Sequence, residues 1–113
     1  MVAAAELAEM EAELQTRQRE SARIQLEFQK QAEKLRQIRD DDSKSIEERI
    51  SANERLGDVL KEQLKEEQAI ADLRLEAVNR RIEAEGETTE LLDARAEALT
   101  EIADIQELSL IHI

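Results

Sequence analysis

Leu7, Met10, Leu14, Ile24, Phe28, Leu35 and Ile38 fall at alternating steps of three and four in one register. That spacing keeps an apolar seam on one side of a helix and is the pattern by which helices wind together. It predicts a first helix over 2–39, with Leu7, Leu14, Ser21, Phe28 and Leu35 at a positions and Met10, Arg17, Ile24, Gln31 and Ile38 at d positions. Arg17, Ser21 and Gln31 interrupt the seam. Such polar positions either fix register and partner number or mark a stretch that pairs loosely.

The pattern breaks at residues 40–44, where Asp40, Asp41 and Asp42 repel one another and compete for backbone donors, which favours a turn and a helix start. Ser45 with Glu48 reads as a capping box opening a second helix over 45–85. In that helix Leu56, Leu60 and Leu64 are followed eleven residues on by Glu67, Ala71 and Leu75, then by Val78 and Ile82. A 4-4-3 spacing favours nearly straight or slightly right-handed packing. Ile70 and Ala77 widen this stripe, which implies more than one neighbour. Gly57 inside the helix permits a close crossing or a bend, or is a tolerated weak spot.

A second boundary follows at 86–88. Gly86 suits the left-handed conformation after a helix end, and Thr88 suits an N-cap. A third helix is expected over 89–107, with a stripe of Leu92, Arg95 or Ala96, Leu99, Ile102 and Ile105 folding back antiparallel on the second. Residues 108–113 leave both the charge pattern and the stripe. They resemble a translated sequencing adapter, the transposon end CTG TCT CTT ATA CAC ATC that encodes Leu-Ser-Leu-Ile-His-Ile. On that reading the chain is a gene fragment, its third helix is cut short, and its only histidine, His112, is foreign to it. A native apolar docking tail is the alternative.

Composition agrees with long helices. Of 113 residues, 41 % are hydrophobic and 39 % charged, with no proline, cysteine or tryptophan, a mixture typical of extended helical proteins. The fold class expected is all-α, with long amphipathic helices in coiled-coil or hairpin form and no globular domain. Residues 1–39 carry seven acidic and seven basic groups, so the whole net charge of −12 lies in residues 40–113. Like-charge repulsion with phosphate argues against nucleic acid as a partner. No apolar run in the sequence has the length of a membrane span.

Candidate chemistry is sparse. An EF-hand counted from Asp40 would need glycine and glutamate where Ser45 and Ser51 stand. Acidic pairs such as Glu66 and Glu67 lack a nucleophile or a native histidine to work with, and a di-metal bundle needs a Glu-x-x-His pair that the sequence does not have. No enzyme activity, cofactor or metal is expected. What remains is association through Leu7, Met10, Leu14, Ile24, Phe28, Leu35 and Ile38, then Leu56, Leu60, Leu64, Leu75, Val78 and Ile82. The expected partner is a second copy or the helices of a larger assembly.

The stretch from Gln37 to Leu60 (QIRDDDSKSIEERISANERLGDVL) resembles helical segments of bacteriophage tail tape-measure proteins, and a related pattern recurs from Gly86 to Asp93 (GETTELLD). The resemblance spans residues 37–107 and lacks the membrane-active segments and lytic domain found elsewhere in that family. It implies a long helical protein packed in a tail tube, partnered by tail proteins, whose length sets tail length. Its location would be the virion tail or the host cytoplasm. The alternative is a soluble, cytoplasmic spacer or adaptor arm of a cytoskeletal, chromosome-organising or trafficking protein.

Overall fold

The computed structural model of the chain describes residues 4–111 and holds three helices: α1 (Ala4–Asp40), α2 (Ile46–Glu85) and α3 (Thr89–Ile111). No strand occurs among the described residues. The helices follow from runs of Ala, Leu, Glu, Gln and Arg, all good helix formers, broken only where turn residues cluster. Residues 2 and 3 of the expected first helix, and residues 112 and 113, lie outside the described range.

Each boundary has a local cause. α1 ends at Asp40, and the Asp41 carboxylate accepts hydrogen bonds from the Ser43 amide at 2.9 Å and the Ser43 hydroxyl at 2.6 Å. This side chain therefore closes the turn that backbone bonds alone would leave loose. Ser45 is the N-cap of α2, its hydroxyl accepting from the Glu48 amide at 3.1 Å. Only that half of the expected capping box forms among the described residues; the Glu48 side chain stays in solvent and makes no return bond. Its proximity to the helix N-terminus remains favourable through the dipole.

At the other end the Gly86 amide donates to Ile82 O at 2.8 Å. Gly86 has φ 86° as expected of a terminating glycine, but ψ 172° takes it out of the left-handed helical region into an extended mirror conformation that belongs to glycine. Thr88 then caps α3, its hydroxyl accepting from the Leu91 amide at 3.1 Å. α3 continues past the expected end at Glu107 to Ile111. None of the residue types at 108–111 breaks a helix, and the backbone continues through them.

α2 is the central element, and both other helices lie antiparallel on it. α1 and α3 bring no Cα atoms within 8 Å of each other among the described residues. The widened stripe of α2 thus meets two neighbours, as Ile70 and Ala77 imply, and both are buried. The assembly is a rod of 61 × 24 × 17 Å. At about 1.5 Å per residue α2 alone accounts for that length. α3 is little more than half as long and covers only the C-terminal part of α2. Ile46 and Ile50, at the uncovered end, are 70 % and 54 % exposed.

Near the first turn, Ala32 and Leu35 of α1 pack with Ala52 and Leu56 of α2, flanked by Ile38, Val59 and Leu60. Toward the second turn, Ala71 and Ala77 of α2 are buried, as are Leu91, Ala98 and Ile105 of α3. The alanines let the backbones approach, and the larger residues fill the space between crossings.

Candidate association surface

The residues that carry association do so within the chain. Leu35 is buried, and Leu7, Met10, Leu14, Ile24, Phe28 and Ile38 are half-buried. On α2, Leu56 is buried while Leu60, Leu64, Leu75, Val78 and Ile82 are half-buried. Cross-links between α1 and α2 run the length of this contact. Gln25 Nε2 donates to Gln63 O at 3.3 Å, and Arg81 Nε lies 3.5 Å from Glu11 Oε1. The α1 seam is therefore taken up by α2 of the same molecule.

The polar seam positions behave differently from one another. Arg17 reaches across to Glu66, Nη2 to Oε1 at 3.6 Å, and also lies 3.8 Å from Glu20. That Glu66 oxygen is buried without a hydrogen bond, so the ion pair is what offsets its burial, and sliding α1 along α2 would leave it uncompensated. Here the polar residue fixes register. Ser21 is buried at 7 % exposure; being small, it admits the partner helix. Gln31 is exposed and the adjacent Ala32 is buried in its place. The seam steps by four at that point, because an ideal α-helix drifts against a strict seven-residue repeat.

α3 corrects the expected stripe. Its buried row is Leu91, Ala98 and Ile105, exact sevens apart. Of the expected stripe Ile105 is buried and Leu92, Arg95 and Ile102 are half-buried, whereas Ala96 is exposed and Leu99 is 50 % exposed. Ala98 allows the close approach to α2 that a leucine would block, and this rotates Leu99 outward.

Between α1 and α3, with α2 as its floor, runs an open groove. One part of about 840 Å³ is lined by Gln25, Gln29, Glu67, Ile70, Asp104 and Ile105, among others. A second, of about 440 Å³, continues it toward the second turn past Leu14, Ala77 and Ala94. Gln18, Arg74, Glu97 and Glu101 border both. Arg74 Nη1 donates to Glu101 Oε1 at 2.6 Å, tying α2 to α3. Burial, then the neighbouring Glu101 charge, hold the Glu67 carboxyl above its ordinary range. The groove is acidic, amide-rich and walled by helices whose described backbones stay more than 8 Å apart.

The aspartates of the first turn are engaged locally. Asp40 takes two bonds from Arg39, at 2.9 and 3.1 Å, which hold its carboxyl below the usual range. Asp41 is lowered likewise by the Ser43 hydroxyl and amide. Arg49 donates from Nε to Arg39 O at 2.8 Å and reaches Asp42 at 3.7 Å. These contacts staple the tip of the α1–α2 hairpin.

Comparison with protein-family models, with curated proteins and with solved structures finds no match to this chain.

Proposed function

We propose that this chain is a non-enzymatic structural segment, a stiff helical rod that spaces or scaffolds an assembly, and that the assembly is a phage tail in which it belongs to a tape-measure protein. The observation that carries the structural part is the shape: three long helices give a rod of 61 × 24 × 17 Å. Its groove is lined mainly with amides, carboxylates and apolar side chains, and of its two hydroxyls Ser21 is buried at the α1–α2 contact while Thr100 donates to Ala96 O at 2.9 Å within its own helix. The phage part rests on the resemblance over residues 37–107.

The antiparallel fold favours a second reading. Strung end to end, the three helices would reach roughly 150 Å at 1.5 Å per residue, whereas folded they reach less than half of that. A ruler works by length, so the tape-measure role needs the helices extended inside the tube. A spacer or adaptor arm in a cell works with the hairpin as it stands. No helix among the described residues is long and apolar enough to cross a membrane, and either role is compatible with that.

Sequencing the gene and its neighbours from the source DNA separates the two. Tail-tube and tail-assembly genes on either side are expected. A reading frame that runs instead into nucleotide-binding or recognition domains would replace the phage assignment with the adaptor arm.

A further inference from the structure

α1 and α3 each carry a charged stripe that the fold leaves largely unpaired among the described residues. On α1, Arg19, Arg23, Leu26, Lys30 and Lys34 recur at steps of 4, 3, 4 and 4, which places them on one helical face. All are exposed, Leu26 at 51 %. This face is turned away from α2, since Ser21, Ala32 and Leu35, which are buried, lie on the opposite side of the helix. Among the described residues none of the four cations is in an ion pair; Glu27 borders the stripe between Arg23 and Lys30. It gathers four of the seven basic residues of α1 onto one side, with Glu33 bordering its other edge.

On α3, Glu90, Asp93, Glu97, Glu101 and Asp104 recur at steps of 3, 4, 4 and 3. Glu97, Glu101 and Asp104 form the α3 wall of the groove. Among the described residues only Glu101 of the five is in an ion pair, with Arg74. Both stripes run about 21 to 23 Å at 1.5 Å per residue. Within one molecule they cannot meet, because α1 and α3 lie apart on α2 and the basic face looks outward.

We propose that the basic stripe of α1 docks on the acidic row of α3 in a second copy of the chain, with Leu26 of one copy entering the groove of the other beside Ile70 and Ile105. The partner is chosen by equal stripe length, opposite charge and compatible spacing, and an apolar residue at the centre of one stripe faces an apolar-floored groove beside the other. Complementary rows of this kind select partner and register. The surface is separate from the seam, which α2 covers, and does not depend on which assembly the rod serves. Net charge opposes association in general, so the attraction has to be local.

The test uses the whole chain in sedimentation equilibrium, with circular dichroism confirming that each variant is as helical as the parent. The parent should associate reversibly. Arg23→Glu with Lys30→Glu should weaken association roughly tenfold or more, since opposed like charges replace attraction. Glu97→Lys with Asp104→Lys should weaken it as well, although these changes lower the net negative charge and would strengthen any association limited by overall repulsion. Mixing the two variants should restore a complex between them. A parent that stays monomeric at several hundred micromolar overturns the proposal, and so do variants that associate as the parent does or a mixture that fails to recover.

Discussion

Replacing Gly57 by alanine should stabilise the protein. Gly57 lies in the interior of α2, and a Cβ built on it meets no heavy atom within 4 Å. Alanine therefore adds no clash there and relieves the cost of glycine, the greater backbone freedom lost on folding. The helix-interior difference between the two is about 0.8 to 1.0 kcal/mol. Its backbone φ is not positive, so nothing offsets that gain. For a chain of this size about 1 kcal/mol corresponds to a rise in Tm of about 4 °C. Thermal and urea unfolding followed by circular dichroism at 222 nm, at fixed protein concentration, would measure it. A variant that loses stability would refute the reasoning and show that Gly57 serves a bend or a close crossing with another helix.

Two further substitutions test the packing. Leu56→Ala, at a residue 4 % exposed in the α1–α2 core, should cost about 2 to 5 kcal/mol, whereas Leu99→Ala, half exposed on α3, should cost under about 1 kcal/mol in urea unfolding. Equal losses would mean that α3 is rotated from the orientation described. Glu67→Gln should raise Tm at pH 7. The sign follows from linkage: with its folded pKa raised, Glu67 holds more proton in the folded state than in the unfolded one, so its ionisation destabilises the fold as pH rises through that window. The advantage of the variant should shrink as pH falls to about 4, where the parent carboxyl is largely protonated; a difference independent of pH would contradict it.

The helix boundaries were legible because each is decided locally. The aspartate run, Ser45, Gly86 and Thr88 act through their own backbone neighbours, and a pattern of turn and cap residues reports that directly. The partner of the α1 seam was not legible. A stripe of Leu, Met, Ile and Phe states that a helix must be covered, and α2 of the same chain satisfies it as well as another copy would. The centre of the α3 stripe was misread by one position for a related reason. Ranking by hydrophobicity selects Leu99 over Ala98, but a close helix crossing selects the smaller residue. At Gln31 and Ala32 the heptad count was carried one step too far. The role of Arg17 needed the structure, because its partner Glu66 lies 49 residues away in sequence.

The central claim is that α1 folds back on α2 so that the seam is satisfied within one molecule. The chain has no cysteine, so a single pair of nitroxide labels can be placed at will, at Thr16 and Lys65, with labelled chain diluted into unlabelled chain to suppress distances between copies. Pulsed dipolar spectroscopy should give a population near 20 Å, set by helix axes about 8 to 10 Å apart plus the label arms. A dominant distance near 70 Å, the rise of one continuous helix at about 1.5 Å per residue, would contradict the fold.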